Sequence, residues 1–163
     1  MQQETQFDLI VVGGGSLPPQ LYDRPHEDEL QPNRDRMEEQ VIHYCVAHGI
    51  PIIATCRGMQ YINVMFGGKL WYHPKLPVNR TRGVDHQVWL VKEQRNIWVN
   101  NYHSDCIYEE GLASCFEPLA IDRENHVVEA YGSDEMKILA LQWHPERRFE
   151  TANAYEETRK IIL

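Results

Sequence analysis

The stretch Ile50–Gly68, IPIIATCRGMQYINVMFGG, decides the fold because a strand pattern meets a helix pattern within it. Ile50–Thr55 is an apolar run of the kind that forms a buried parallel strand. From Gly58 to Phe66 the apolar residues recur at helical spacing, and Gly67-Gly68 is a stop signal for the helix. The two patterns together predict a sharp strand-to-helix turn at the residue between them, Cys56.

The surroundings of Cys56 make it a candidate nucleophile. A sharp strand-to-helix turn lifts the side chain at its apex out of the sheet, which is the arrangement of a nucleophile elbow. Ala54 and Gly58 are small enough for such a turn to close, and the helix N-terminus is expected to favour the thiolate over the thiol. The alternative is a small buried cysteine at a strand end, which is a common structural role. The turn alone leaves both interpretations open.

Outside this stretch, strand and helix patterns alternate along the chain, which predicts an α/β domain with one core. A glycine turn, Gly13–Gly15, follows the first strand, and Ser16–Asn33 is rich in Pro, Asp and Glu and predicts a long surface loop. Gly49 is placed to end the helix that precedes the central strand. The other predicted strands are Phe7–Val12, Val84–Val91, Ile97–Asn100, Leu119–Asp122, His126–Ala130 and Ile138–Trp143, and the other predicted helices are Arg34–His48 and Thr151–Leu163.

The composition is that of a globular protein with an excess of acidic groups. Of 163 residues, 42% are hydrophobic and 25% are charged, which fits a single core. The chain has 16 Lys and Arg against 24 Asp and Glu, and the resulting charge of −8 argues against a nucleic-acid partner. It leaves an anionic small substrate open, because a pocket can differ in sign from the whole surface.

The sequence shows no export or membrane signal. The N-terminus, MQQETQFDLIVV, lacks a basic region followed by a long apolar run, and no apolar stretch reaches membrane-spanning length. The four cysteines form no C-x-x-C pair, which favours free thiols in a reducing compartment. We therefore expect a cytoplasmic protein with no membrane partner. Cys45, Cys106 and Cys115 lie outside any elbow pattern and are expected to be structural.

A second candidate group follows the apolar run ILALQ, at Trp143-His144-Pro145-Glu146. Residues two apart in an extended chain project to the same side, so the Glu146 carboxylate can fix the tautomer of His144. A thiol nucleophile needs such a base, and the base needs an orienting acceptor. The alternative is a surface histidine beside a glutamate by chance. A zinc site is a further alternative, but the spacing of the candidate ligands matches no recognised pattern, and we expect no metal. Those ligands are His73, His86, His103 and His144.

Four motifs follow one another along almost the whole chain. They are Gly13–Gly15, then Cys56-Arg57-Gly58-Met59-Gln60 with Asn63 and Gly67-Gly68, then Val99-Asn100-Asn101-Tyr102-His103, and last Gln142-Trp143-His144-Pro145-Glu146. In this order and at these separations they resemble the class I glutamine amidotransferase superfamily. They are most similar to its γ-glutamyl hydrolase branch, the peptidase C26 group that includes γ-glutamyl-GABA hydrolase. The resemblance implies a flavodoxin-like α/β fold, with a central, mostly parallel sheet flanked by helices, in a single domain over residues 1–163.

The resemblance also implies a role for each matched residue. Cys56 corresponds to the nucleophile, His144 to the general base and acid, and Glu146 to the residue that orients His144. The N–H of Gly14 or Gly15 and the N–H of Arg57 correspond to the two halves of an oxyanion hole. The remaining matches are to substrate contacts: Gln60 to the glutamyl portion, and Asn101, Tyr102 and His103 to its α-carboxylate and amine.

The implied function is a cysteine-dependent hydrolase that cleaves a γ-glutamyl amide through a thioester, without a cofactor. One alternative is a glutaminase subunit that supplies ammonia to a synthetase partner, and another is a non-catalytic binding module of the same fold. In one respect the chain departs from the family, whose members usually have a strand, a helix and another strand before the glycine turn. Here that turn comes at Gly13, and a strand edge left uncovered would favour a homodimer.

Overall fold

A computed structural model describes residues 10–15, 17, 32–72 and 83–147 of the chain. In chain order the strands are β1 (Ile10–Val12), β2 (Ile52–Thr55), β3 (Trp71–Tyr72), β4 (His86–Leu90), β5 (Arg95–Val99), β6 (Asp105–Cys106), β7 (Glu117–Asp122), β8 (Val127–Ser133) and β9 (Ile138–Leu141). The helices are α1 (Pro32–His48), α2 (Arg57–Met65) and a short 3-10 helix (Glu109–Gly111).

Seven strands form one mixed sheet in the order β1-β2-β9-β8-β7-β4-β5. β1, β2 and β9 pair in parallel, and the other neighbours in the sheet pair antiparallel. The remaining two strands, β3 and β6, form a small antiparallel pair of their own. The predicted α/β architecture with a central sheet is confirmed, and among the described strands its parallel part is confined to these three. Because parallel strands present their carboxyl ends at one edge, residues that follow β2 and β9 are brought together there.

The predicted elements correspond to the observed ones with shifts of a few residues at their ends. α1 begins at Pro32, two residues before the predicted start, because proline is well suited to the first helical position. It ends at the predicted glycine: Gly49 has φ 64°, and the N–H of Ile50 donates to the Cys45 carbonyl oxygen (2.9 Å). β9 ends at Leu141, so the predicted strand end at Trp143 is wrong by two residues.

Some predictions lie outside the described residues. They are residues 7–9 of the first strand, the final helix Thr151–Leu163, and the loop Ser16–Asn33 except for Leu17 and the start of α1. Three described elements were not predicted: β3, β6 and the 3-10 helix. Each has only two or three residues. A periodicity cannot be recognised in so short a segment.

The described residues bury their apolar side chains in two clusters. The first lies between the helices and the parallel strands and includes Ile42 of α1, Met59 of α2 and Ala54 of β2. The second lies among the antiparallel strands and ends at Trp143, which is fully buried. No helix among these residues combines the length and the apolar character that crossing a bilayer requires.

In the sequence of α1 the apolar residues Met37, Val41, Tyr44 and Cys45 recur at helical spacing and predict the inward face, but the observed inward face is different. Met37 and Tyr44 are 58% and 54% exposed, whereas Asp35 and Glu38 are buried. The acidic residues face inward because the guanidinium of Arg57 is fully buried beside them and forms ion pairs with both carboxylates. A buried cation thus decides which side of the helix faces the protein.

Candidate active site

Cys56 occupies the sharp turn between β2 and α2 that the sequence predicts. Its backbone has φ 50° and ψ −107°, a conformation that non-glycine residues rarely adopt. The N–H of Cys56 donates to the carbonyl oxygen of Leu141 at the end of β9 (2.7 Å), which ties the turn to the neighbouring parallel strand. Backbone strain at one cysteine, maintained by the surrounding structure, is typical of functional sites.

The Cys56 thiol is buried, and its environment keeps it protonated. Burial raises the pKa of Cys56 to about 11, against the opposing effects of backbone hydrogen bonds from Arg57 and Gly15 and of the charge on Arg147. The N–H at the start of α2 lowers the pKa of the thiol, as the sequence predicts, but it does not make the thiolate the favoured form. The loss of solvation outweighs the N–H donors.

His144 follows the end of β9, and its side chain is oriented by a carboxylate. Its Nδ1 lies 2.6 Å from Oε1 of Glu146, and the imidazole is almost fully buried whereas the carboxylate is 57% exposed. Arg147 lies 3.9 Å from the same carboxylate oxygen and stacks over the ring of Tyr102. With Nδ1–H donating to Glu146, Nε2 is available as an acceptor.

Asn100, at the end of β5, holds the backbone of His144 by two hydrogen bonds. The amide Nδ2 donates to the carbonyl oxygen of His144 (2.8 Å), and the N–H of His144 donates to Oδ1 of Asn100 (2.9 Å). The asparagine side chain is buried, and these two bonds satisfy backbone groups that lie beyond the end of β9. Asn100 thus fixes the position from which the imidazole projects.

Cys56 and His144 come together across Gly14. A β-carbon at position 14 would lie 2.7 Å from Cε1 and 3.4 Å from Nε2 of His144, and 3.7 Å from Cβ of Cys56. The thiol-bearing residue and the free ring nitrogen therefore border the same small space. Any side chain at position 14 would collide with the imidazole, so only glycine fits there.

The glycine turn and the start of α2 provide two N–H groups beside the sulfur, those of Gly15 and Arg57. Arg34 of α1 contacts the turn from outside, where its Nη2 donates to the carbonyl oxygen of Gly14 (2.8 Å). The side chain of Arg57 turns away from the sulfur toward α1, where it donates to Asp35 and Glu38. The backbone N–H of Arg57 therefore faces Cys56, whereas its guanidinium binds the two carboxylates of α1.

The four predicted substrate-contact residues differ in what they present to the site. Tyr102 packs edge-on against the imidazole of His144, with ring centroids 5.8 Å apart, and is partly exposed. Asn101 is fully buried, and its Oδ1 accepts from the N–H of His103 (3.4 Å). Gln60 is buried and donates to the Asp105 carbonyl oxygen (3.1 Å) and to Oε1 of Gln142 (3.2 Å).

The ring of His103 faces the protein interior rather than the space beside Cys56. Its Nδ1 lies 2.9 Å from the carbonyl oxygen of Asp105, and its Nε2 lies 3.7 Å from the buried carboxylate of Glu129. The imidazole of His86 lies 3.6 Å from the same carboxylate oxygen. Among the described residues, no group of three or more His, Cys, Asp and Glu side chains is arranged to hold a metal ion.

Three contributors to the site were missed by sequence reasoning: Asn100, Arg34 and the acidic pair Asp35 and Glu38. Asn100 lies within a matched motif, but nothing local indicates that its partner is 44 residues away. The acidic pair gave no local signal either, because its partner Arg57 lies 19 and 22 residues away in the sequence. The four cysteines are free thiols, as predicted, and Cys115 is the exposed one.

Comparison with known proteins identifies relatives along most of the chain. The family model described as Peptidase C26 matches residues 4–146. A glutamine amidotransferase-like protein of Lactococcus lactis is 30% identical over 88% of this chain. The γ-glutamyl-γ-aminobutyrate hydrolase of Escherichia coli is 28% identical over 86% of it. A glutamine amidotransferase of Thermotoga maritima, 19% identical, superposes on the whole chain with a TM-score of 0.68 and shows the same fold.

These relatives are longer than the chain. It spans 67% of the Lactococcus protein, 65% of the Escherichia hydrolase and 53% of a further relative from Mycobacterium tuberculosis. It also spans 67% of the Thermotoga structure. The matched region nevertheless includes the glycine turn, the Cys56 elbow and the segment from His144 to Glu146. The chain belongs to the peptidase C26 family, within the glutamine amidotransferase-like proteins.

Proposed function

We propose that this protein is a cysteine-dependent amide hydrolase that cleaves the γ-glutamyl amide bond of a small compound and releases glutamate and an amine. The observation that carries the proposal is the convergence of Cys56 and the free Nε2 of His144 on the space above Gly14. The hydrogen bond of 2.6 Å between His144 and Glu146 sets the tautomer that this chemistry needs. The similarity to γ-glutamyl-γ-aminobutyrate hydrolases supports the choice of a γ-glutamyl substrate.

The first step transfers the thiol proton as the sulfur attacks. Because the pKa of Cys56 is about 11, the resting group is a neutral thiol, and His144 acts as the base through Nε2. The Cys56 sulfur forms a bond to the γ-carbonyl carbon, and the carbonyl oxygen becomes an oxyanion. Glu146 accepts from Nδ1–H and stabilises the imidazolium that forms.

The N–H groups of Gly15 and Arg57 are the donors for that oxyanion. Both donors lower the pKa of the Cys56 thiol, so they lie beside the sulfur and beside the carbon that it attacks. One such donor is typically worth about 3–4 kcal/mol in the transition state. As the tetrahedral intermediate collapses, His144 gives its proton to the departing amine and the C–N bond breaks. Water then attacks the thioester with His144 again as base, which releases glutamate and restores the thiol.

A substrate panel tests the reaction. Purified protein is incubated with glutamine, with γ-glutamyl amides of several amines, and with an α-glutamyl amide as the control, and free glutamate is measured. We expect release from γ-glutamyl amines, loss of it in Cys56→Ser and His144→Asn, and wild-type rates in Cys115→Ser. Wild-type rates in Cys56→Ser would refute the proposal. Release from glutamine alone, and only with a synthetase added, would indicate the glutaminase alternative instead.

Covalent labelling distinguishes an enzyme from a binding module of the same fold. A glutamine-like chloroketone should modify Cys56, because binding places the electrophile beside the sulfur and His144. A neutral alkylating reagent at the same pH should modify Cys115, which is exposed and can react without the reagent first binding at the site. Labelling of Cys115 by both reagents, with Cys56 untouched, would favour the binding module.

A further inference from the structure

The peptide that joins Gly14 to Gly15 needs an external support to keep its direction. Neither flanking residue has a β-carbon, and Gly15 has φ 142°, a value that other residues rarely adopt. A peptide between two glycines can rotate to the opposite orientation at little steric cost. After such a rotation the carbonyl oxygen, rather than the N–H, would face the sulfur.

Arg34 supplies that support from the side of the turn away from Cys56. Its Nη2 donates to the carbonyl oxygen of Gly14 (2.8 Å) and lies 3.5 Å from that of Gly13. The described chain contains no cis peptide, and in a trans peptide the C=O and the N–H point in opposite directions. Holding the Gly14 oxygen toward Arg34 therefore directs the Gly15 N–H toward Cys56, whose pKa this donor lowers.

Glu38 holds the side chain of Arg34 and also binds the side chain of Arg57, the residue whose backbone N–H is the second donor. The Nε of Arg34 donates to Oε1 of Glu38 (2.7 Å), and the other oxygen of Glu38 accepts from the guanidinium of Arg57. A β-carbon on Gly15 would lie 2.8 Å from Nη1 of Arg34 and 3.0 Å from Cδ of Arg57, so both side chains pack against the turn. Arg34 lies in the first turn of α1, where a cation opposes the helix dipole. Its place is therefore explained by these tertiary contacts and not by helix stability.

We propose that Arg34 is a positioning residue that fixes the Gly14–Gly15 peptide with its N–H toward Cys56. Through Glu38 it also ties this peptide to Arg57, so that both oxyanion donors are held by one chain of ion pairs. The role in turnover rests on the proposed function, whereas the orientation of the peptide does not. The two parts are therefore tested by separate measurements.

Turnover is measured in Arg34→Met and, as the matched control, in Arg36→Met, which changes an exposed arginine two residues away on the same helix. Loss of one oxyanion donor typically lowers kcat by about 10²–10³-fold. We expect a fall in kcat of at least about 100-fold in Arg34→Met with KM within about threefold, and no change in Arg36→Met. Since the Arg34 side chain is 31% exposed, added guanidinium should restore part of the rate in Arg34→Ala. A rate loss that guanidinium does not restore would indicate a structural role and overturn the proposal.

Alkylation of Cys56 tests the peptide orientation without any substrate. In a Cys115→Ser background, the rate of reaction with a neutral alkylating reagent is followed against pH. A rotated peptide would withdraw the Gly15 N–H, so Arg34→Met should shift the alkylation profile to higher pH, and Arg36→Met should leave it in place. A shift in a protein without γ-glutamyl turnover would remove the proposed function and keep the role of Arg34. Identical profiles in Arg34→Met and wild type would overturn that role.

Discussion

The buried thiol of Cys56 gives the folded protein a specific sensitivity to alkaline pH. Its pKa is about 11 in the folded state, against an ordinary value of 9.0. Below pH 9 both the folded and the unfolded chain keep this proton. Between pH 9 and 11 the unfolded chain releases it while the folded chain does not, so this contribution to the free energy of unfolding is lost as pH rises.

We therefore expect wild type to lose roughly 2–3 kcal/mol more stability than Cys56→Ala across that interval. Urea denaturation of the two proteins at a series of alkaline pH values measures the difference, and the other titrating groups are common to both. Parallel stability curves would show that the thiol is not desolvated as the structure indicates.

The two hydrogen bonds of Asn100 should matter more for rate than for binding. In Asn100→Ala the backbone N–H of His144 loses its bond to Asn100, and its carbonyl oxygen keeps only the hydrogen bond from the Arg147 N–H (3.0 Å), so the imidazole is free to shift. A displacement of about 1 Å at a catalytic group can cost about 10²-fold, so we expect kcat to fall by about that factor with KM little changed. Asn96→Ala, at an exposed position of β5, is the control. Steady-state kinetics give kcat and KM for both variants. A kcat in Asn100→Ala equal to that of Asn96→Ala would argue against this role of Asn100.

At the scale of elements, Asn63 joins the end of α2 to the segments that follow it. Its Nδ2 donates to the carbonyl oxygens of Lys69 (3.0 Å) and Gly111 (3.1 Å), and its Oδ1 accepts from the N–H of Ala113 (2.9 Å). A β-carbon at Gly68 would lie only 2.3–2.4 Å from the atoms of this side chain. The Asn63 and Gly67-Gly68 motif is therefore one packing unit rather than two independent signals.

This packing unit predicts strong coupling between two substitutions. Asn63→Ala removes three hydrogen bonds to backbone groups, of which the Gly111 carbonyl oxygen keeps its bond from the Lys69 N–H (2.8 Å), and should cost about 2–4 kcal/mol. Gly68→Ala should cost a similar amount through collision with the asparagine. In the double variant the collision is absent, so its loss should be smaller than the sum by at least about 1 kcal/mol. Chemical denaturation of the wild type, the two single variants and the double variant gives the four free energies of unfolding that this double-mutant cycle compares. Additive losses would show that the glycine is required for its own backbone conformation alone.

The elbow and the parallel strands could be predicted from sequence because each depends on local pattern. Ile50–Thr55 and the helix after it are defined by neighbours along the chain, and the small residue Gly58 allows the turn between them. The inward face of α1 could not be predicted in the same way, since Asp35 and Glu38 face inward for a cation 19 or more residues away. The net pKa of Cys56 could not be predicted either, because desolvation depends on the whole fold and not on the helix that begins beside it.

At the scale of the whole molecule, the two apolar clusters share the central strands β8 and β9. Val128 and Ala140 lie in the cluster beneath the helices, whereas Ala130 and Leu141 of the same strands lie in the cluster among the antiparallel strands. Neither cluster can open without exposing strands that the other needs. This shared boundary predicts a single cooperative unfolding transition for the part of the chain that the structure describes.

Two core substitutions, one in each cluster, test that cooperativity. Ile42→Ala opens a cavity beside α1, and Ile97→Ala opens one beneath β5; both side chains are fully buried or nearly so, and each truncation should cost about 2–5 kcal/mol. Unfolding is followed by far-ultraviolet circular dichroism, to which the helices contribute most, and by tryptophan fluorescence, to which Trp143 in the second cluster contributes. Because the strands are shared, each substitution should shift both signals by the same amount and leave one transition. A variant in which fluorescence changes at lower denaturant than circular dichroism would show that the antiparallel half unfolds by itself. His144 would then lose its two hydrogen bonds to Asn100 while the turn at Cys56 remained folded.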